Sequence, residues 1–236
     1  MWMKTIFVTG ASRGIGLEWT RQCLERGHRL LATCRNPHKT EGLSVLRESY
    51  ADHLDIFTLD VEDEESVTRL FSELDKKAQS IDLLFNNAGI IDWENMLNVA
   101  TVSMEKVYKV NVVGALLVLR RAIPCLRRSA NPVVANISSR LGSIELRGNT
   151  QLGGAMAYQC SKAALNMLTK QASIDLAPFG ITVLSQSPGW VRTEMGGGEA
   201  KFSVKEAVAN MLGHLEDAGT SLSGKFLAED GVELPW

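Results

Sequence analysis

The feature that most constrains this chain is a rhythm: short apolar runs alternate with longer helical patterns from one end to the other. Seven runs read as strands, at residues 6–8, 29–34, 55–59, 81–85, 132–137, 181–185 and 224–227. They are continuously apolar and do not alternate with polar residues, which suits a sheet covered on both faces. Helical periodicity fills the intervals. Val67, Leu70, Phe71, Leu74 and Ala78 mark one face of a helix. Glu62, Asp63, Glu64 and Glu65 stand just before it, where negative charge complements a helix N-terminus. Residues 102–128 read as one long helix kinked or ended by Pro124, and residues 157–176 as another, stopped by Pro178 and Gly180.

Strands and helices in strict alternation, joined by short connections, build a parallel sheet with helices on both faces. Right-handed crossovers wind such a sheet doubly, in the Rossmann manner. The expectation is an α/β fold: one seven-stranded parallel sheet in a single domain over residues 1–236. No composition shift, repeat or linker divides the chain. At 236 residues and 45% hydrophobic it has material for one core. Lysine and arginine number 25 against 27 acidic residues, a net charge of −2, so no electrostatic footprint for nucleic acid or an anionic membrane is expected. The longest apolar stretch, residues 110–119, is broken by Asn111 and falls short of the roughly 20 residues a membrane span needs. The apolar run near Met1 is too short for a signal-peptide core. Cys23, Cys34, Cys125 and Cys160 are scattered and read as reduced thiols of a cytoplasmic protein. His28, His38, His53 and His214 lack ligand spacing, so no metal site is expected.

The first strand ends in Thr9-Gly10-Ala11-Ser12-Arg13-Gly14-Ile15-Gly16, and a helix follows. Glycines let the backbone turn tightly beside a ligand. The helix start then offers free N–H groups and a positive dipole end to a pyrophosphate. With a strand before it and a helix after it, the turn sits where a dinucleotide site requires it. The second strand ends in Cys34 and Arg35, where NAD-binding chains often carry an acidic residue for the ribose 2′-hydroxyl. An arginine there accommodates a 2′-phosphate, and Arg13 is a second cation within reach. NADP(H) is therefore preferred, with NAD(H) the alternative. Asp60, ending the third strand, is placed to accept from the adenine amino group.

Tyr158 and Lys162 stand at i and i+4, on one face of a helix. A nearby ammonium stabilises a phenolate and draws a tyrosine towards acid–base chemistry. Other strand ends, which form the ligand crevice of such a sheet, carry Asn136-Ile137-Ser138-Ser139, Asn86-Asn87-Ala88-Gly89 and Ser187-Pro188-Gly189. Asn111 lies in an apolar stretch and needs a hydrogen-bond partner.

These motifs, in this order across almost the whole chain, resemble the short-chain dehydrogenase/reductase family in its compact single-domain branch. The resemblance implies a Ser-Tyr-Lys triad assisted by an asparagine, moving a hydride between a nicotinamide and a carbonyl or alcohol carbon. Tyr158 would be the general acid or base, and Lys162 would lower its pKa and hold the nicotinamide ribose. Ser139 would hydrogen-bond the substrate oxygen, and Asn111 would keep a water for a proton relay to Lys162. Ser139 is preferred to Ser138 because the family's serine precedes a glycine by three, as Gly142 follows here. Asn87, Ala88 and Gly89 would face the adenosine, with Asp60 and Val61 nearby. Ile15, Pro188, Gly189 and Val191 would shape the phosphate and nicotinamide contacts, and Thr193 would hold the carboxamide.

Nineteen positions separate Ser139 from Tyr158, several more than the family commonly has, and the extra residues fall within 148–154. This insertion, the segment from Trp190 to Gly198 and the C-terminal residues 229–236 resemble the C-factor and Sniffer subgroup of carbonyl reductases. That likeness implies NADPH-dependent carbonyl reduction and, for C-factor, a link to cell-to-cell signalling. Trp93, Leu141, Trp190 and Met195 fall at cleft-bordering positions and suit an apolar or aromatic carbonyl compound. Gly196, Gly197 and Gly198 are expected to hinge a lid. Family members often pair through the two long helices, so a homodimer is expected. A nucleotide-binding signalling protein with incidental catalysis is the competing reading, and the complete set Ser139, Tyr158, Lys162 and Asn111 favours the enzyme. A Ser-Lys hydrolase is disfavoured, because no nucleophile elbow surrounds Ser139.

Overall fold

In the computed structural model, which describes residues 3–148, 154–216 and 218–236, the apolar runs become β1 (Thr5–Val8), β2 (Arg29–Cys34), β3 (Leu54–Thr58), β4 (Leu83–Asn86), β5 (Val133–Ile137), β6 (Thr182–Gln186) and β7 (Phe226–Leu227). They pair in parallel throughout, in the order β3-β2-β1-β4-β5-β6-β7. Successive strand side chains face opposite ways. Ile6 and Val8 accordingly enter one apolar layer and Phe7 the other; Leu83 and Phe85 enter the first and Leu84 the second. A strand buried on both sides favours apolar residues at successive positions, and the polar ones it keeps are hydrogen-bonded, as Asn136 and Ser185 are to Thr169.

Among the described residues the α-helices are α1 (Gly14–Glu25), α2 (Glu41–Ser49), α3 (Glu64–Lys76), α4 (Thr101–Tyr108), α5 (Ala115–Leu126), α6 (Met156–Asp175) and α7 (Val204–Leu215). Trp19 and Cys23 of α1, Leu43 and Leu46 of α2, and Val208 and Met211 of α7 cover one face of the sheet. Val67, Leu70 and Phe71 of α3 and Leu117 and Val118 of α5 cover the other. Trp19 stacks on Phe85 with ring centroids 3.8 Å apart, which fastens α1 beneath the strand ends. The chain steps out from β1 to β3 and returns to β4 on the opposite side of β1. This reversal opens a crevice at the carboxyl ends of β1 and β4.

Residues 102–128 are helical as expected but not uniform. Between α4 and α5, Lys109–Gly114 form one wide π-helical turn. Gly114 lies so close to the 60–62 loop that a Cβ there would stand 3.0 Å from the Cβ of Val61. Pro124 sits in the last turn of α5, where the helix is about to stop. Ala78 corrects the periodicity reading. It is exposed, lies beyond the end of α3 at φ 52°, and donates its N–H to the Asp75 carbonyl, so the turn that closes the helix claims it. The insertion between Ser139 and Tyr158 is described at Gly148 and Gly154 only; residues 149–153 lie outside the described residues. Among the described residues no helix is long and apolar enough to cross a membrane. The four cysteines are free thiols, Cys160 half-buried and the others buried.

Candidate active site

The glycine turn is held from behind. Thr9 Oγ1 accepts from the N–H groups of Asn87 and Ala88, both at 3.0 Å. Asn87 Nδ2 donates to the carbonyls of Thr9 at 3.0 Å and Gly10 at 3.2 Å. The ends of β1 and β4 are thus locked together. Gly16 has to be glycine, because a Cβ there would meet the Gly10 carbonyl oxygen at 2.3 Å. In front of the turn the arrangement opens. Helix α1 begins at Arg13 with no capping side chain and no acid in its first turn, whereas Asp63 caps α3 and Ser203 caps α7. Its leading N–H groups and dipole are therefore left for an external anion. Ser12 and Ile15 are half-buried within the turn, and Gly14 faces the Thr193 methyl, 3.6 Å from its own Cβ direction. This cradle fits the diphosphate of a dinucleotide.

The charged residues divide. Arg35 is exposed just past β2 and has no ion-pair partner among the described residues. Arg13, expected to be a second cation for the same phosphate, pairs with Glu194 from the loop after β6. Asp60 is half-buried; its carboxylate accepts from the Glu62 N–H at 3.1 Å.

The end of β5, helix α6 and the turn between α4 and α5 bring the acid–base residues together. Ser139 follows β5 and accepts from the Leu141 N–H at 3.1 Å through Oγ. Its hydroxyl is also hydrogen-bonded to Tyr158, which is buried on the first turn of α6. Ser138, one residue earlier, is committed to the fold, since its Oγ donates to Asn166 Oδ1 at 2.6 Å. Gly142 supplies the reason for the serine-to-glycine spacing: a Cβ there would lie 2.7 Å from the Cβ of Lys162, so only glycine lets the loop pass over α6.

Lys162 donates to the Ile137 carbonyl at 2.7 Å, with Nζ 5.4 Å from the centre of the Tyr158 ring. Burial draws this lysine down to about 8. Burial likewise pushes the Tyr158 phenol up to about 12, against a smaller opposing effect of the Ser139 hydrogen bond. Desolvation is thus the larger cause of the Tyr158 shift in this structure. A phenol in this state is protonated at neutral pH and is a donor, while Lys162 is mostly charged.

Asn111 occupies the wide turn between α4 and α5 and is fully engaged. Its Oδ1 accepts from the Ile90 N–H at 2.9 Å, and its Nδ2 donates to the Ile90 carbonyl and to Ser161 Oγ, each at 2.9 Å. The extra residue of a π-helical turn lets a side chain aim inward without breaking the helix, a frequent device at functional sites. A Cβ on Gly89 would lie 3.3 Å from Asn111 Oδ1 and 3.6 Å from Lys162 Nζ, so both groups converge on one spot.

The loop after β6 completes the cleft. Pro188 and Val191 are buried, and Val191 bridges to Phe202. Thr193 Oγ1 accepts from the Gly196 N–H at 3.0 Å, and the Trp190 indole donates to the Gly196 carbonyl at 2.8 Å. Gly196 is thus a packed turn: a Cβ there would meet the Val191 carbonyl at 2.0 Å, while Gly197 and Gly198 stand clear. Leu141 and Met195 are half-buried, and Trp190 and Trp93 are exposed. Trp93 belongs to the segment whose next residue, Glu94, accepts from the first amide of α6 at 2.9 Å. Sequence reasoning missed Thr9 and Ser161 as fasteners. Their signal was adjacency, Thr9 before Gly10 and Ser161 before Lys162.

Known proteins share the sequence pattern and the fold. The pattern of the family described as short chain dehydrogenase matches residues 4–202. The C-signal protein of Myxococcus xanthus is 40% identical over 157 residues, spanning 66% of this chain and 93% of that protein. Over 100% of both chains the fold resembles the NADPH-bound carbonyl reductase from chicken fatty liver, at TM-score 0.93 and 33% identity. It likewise resembles the carbonyl reductase Sniffer of D. melanogaster, at TM-score 0.92 and 31% identity over 100% of both chains. The chain is thus an oxidoreductase built on a doubly wound Rossmann sheet. It belongs to the short-chain dehydrogenase/reductase family.

Proposed function

We propose that this chain reduces a carbonyl group, of a ketone, aldehyde or quinone, to an alcohol at the expense of NADPH. The observation that carries the reading is the buried Tyr158 phenol, hydrogen-bonded to Ser139 and backed by Lys162 on the same helix face. A bound reduced nicotinamide supplies the hydride. The protein supplies position and the proton. Ser139 and the Tyr158 hydroxyl converge on the substrate oxygen and polarise it, and Tyr158 donates its proton as negative charge develops there. Lys162 stabilises the phenolate that is left. Asn111, anchored to Ile90 and Ser161, keeps the spot beside Lys162 Nζ polar for a water that returns the proton.

The α1 N-terminus with Gly10, Gly14 and Gly16 would hold the diphosphate, and Arg35 the 2′-phosphate. Pro188, Gly189, Val191 and Thr193 would seat the nicotinamide, and Asn87, Ala88, Gly89, Asp60 and Val61 the adenosine. Support for NADP(H) over NAD(H) comes from the unpaired Arg35 and from the NADPH-bound relative. The experiment is cofactor oxidation by the pure protein across aldehydes, ketones and quinones, with Tyr158→Phe in parallel. Turnover that depends on Tyr158 supports the reading. Turnover no higher than the variant's would turn attention to a signalling role, the second reading, which the 40% identity to C-signal favours.

Exposed Val102 and Tyr108 on α4, Leu116 on α5 and Met167 and Ile174 on α6 support pairing of two copies through these helices. A monomer in sedimentation equilibrium would refute that.

A further inference from the structure

Helix α6 carries a third polar side chain on the face that holds Tyr158 and Lys162, and the scheme above does not use it. Asn166 follows Lys162 by four positions, as Lys162 follows Tyr158. It is 3% exposed, and both ends of its amide reach the loop after β5. Its Oδ1 accepts from Ser138 Oγ at 2.6 Å, and its Nδ2 donates to the Gly142 carbonyl at 3.4 Å. Ser138 stands just before Ser139. Gly142 closes the turn that Ser139 opens, its N–H donating to the Ser139 carbonyl at 2.8 Å. One side chain therefore grips both ends of the turn that presents the Ser139 hydroxyl.

The grip matters because Ser139 and Tyr158 belong to different elements. Tyr158 is fixed by α6, whereas Ser139 stands between β5 and a single short turn. Their hydroxyls must meet one substrate oxygen, and a displacement of about 1 Å is enough to forfeit most of such an interaction. Without Asn166 the Ser138 hydroxyl is left with the Lys162 carbonyl at 3.4 Å, a weaker hold. The Gly142 carbonyl would also lose its amide donor on α6. Lys162 has its own anchor in the Ile137 carbonyl, so the change falls on the serine and not on the lysine. We infer that Asn166 is a positioning residue for Ser139: it sets the serine turn against α6 and so the distance between the two hydroxyls that polarise the substrate oxygen. This rests on the carbonyl-reductase reading and adds to it a residue that acts through the serine turn alone.

The test compares 4-nitrobenzaldehyde with 4-methoxybenzaldehyde, which differ in how readily the carbonyl carbon takes a hydride. A misplaced Ser139 leaves more of the developing negative charge on the substrate, so the electron-poor aldehyde loses less rate. The readout is the nitro-to-methoxy ratio of kcat/KM values at saturating NADPH, in the wild type, Asn166→Ala, Ser138→Ala and Thr169→Val. The ratio does not depend on the folded fraction, so partial misfolding cannot imitate the effect. Thr169 is likewise buried on α6 but bonds Asn136 and Ser185 and not the serine turn, so Thr169→Val controls for a general loosening of the helix. The expected result is a rise in the ratio of about threefold or more in Asn166→Ala, and none in Thr169→Val. Ser138→Ala removes the same hydrogen bond from the loop side. It should raise the ratio likewise, and it decides the question if Asn166→Ala does not fold. An unchanged ratio in the folded variant, with both aldehydes still turned over, or an equal rise in Thr169→Val, overturns the assignment and leaves the reductase standing. Turnover of neither aldehyde by the wild type overturns the reductase reading and this inference with it.

Discussion

Replacing Asn111 with alanine removes the side chain that ties three elements of the site together. Three hydrogen bonds go, each 2.9 Å long: two to the backbone of Ile90 and one to Ser161 Oγ. Asn111 is 1% exposed, so water does not replace them readily. At about 1 kcal/mol per bond the loss is about 3 kcal/mol, with a further penalty for partners left unpaired. In a domain of 236 residues, each kcal/mol moves Tm by about 2–4 °C, so Asn111→Ala should melt about 6–12 °C below the wild type in a calorimetric scan. The damage should reach function as well. Ile90 follows the Asn87–Gly89 turn, and Ser161 lies beside Lys162 and accepts at a point that also fixes the start of α6, its Oγ donating to the Tyr158 carbonyl at 2.7 Å. A Tm within about 2 °C of the wild type would refute the claim that this asparagine is a structural tie as well as a proposed relay.

Other outcomes follow from the same geometry. Arg35→Asp should raise KM for NADPH far more than for NADH; equal changes would contradict a 2′-phosphate contact at Arg35. Glu194→Gln should release Arg13 and lower KM for NADPH severalfold with little change in Tm, because both partners are largely exposed, at 74% and 77%. An unchanged KM would show that the pair does not compete with the cofactor. Lys162 is drawn down from 10.5 to about 8. Between those values the unfolded chain holds a proton that the folded one does not, so this group adds stability as pH rises through the window and forfeits it as pH falls. At about 1.4 kcal/mol per pH unit, that is worth up to about 3 kcal/mol. Lys162→Met lacks the effect, so its Tm advantage over the wild type should shrink between pH 8 and 10; a constant difference would argue against a buried, depressed lysine. Reduction by the wild type should also fall above about pH 8 as Lys162 loses its charge.

The architecture was readable because it rests on local pattern. Continuous apolar runs fix which segments lie inside a two-faced sheet, and the glycine turn marks where the first strand meets its helix. What stayed hidden depended on distance along the chain or on a single inserted residue. The pairing of Arg13 with Glu194, 181 positions away, forms only when the loop after β6 is folded against the glycine turn. Ser138 and Asn166 likewise meet only when the serine turn is packed on α6. The wide turn at Lys109–Gly114 was invisible because helical periodicity over 102–128 is barely disturbed by one residue, although the lone polar Asn111 marked the spot. The proximity of Tyr158 and Lys162 was legible from their spacing, but the balance of their pKa values was not, because burial is a property of the whole fold.

The central claim, that Tyr158 gives the proton in an NADPH-dependent carbonyl reduction, is tested most directly by single-turnover NADPH oxidation in Tyr158→Phe. The variant is saturated with NADPH, mixed with an accepted ketone, and compared with the wild type alongside the NADPH dissociation constant of each. Loss of a general acid predicts a rate lower by about 10²- to 10⁴-fold with the dissociation constant unchanged. A rate within about tenfold of the wild type would contradict the assignment.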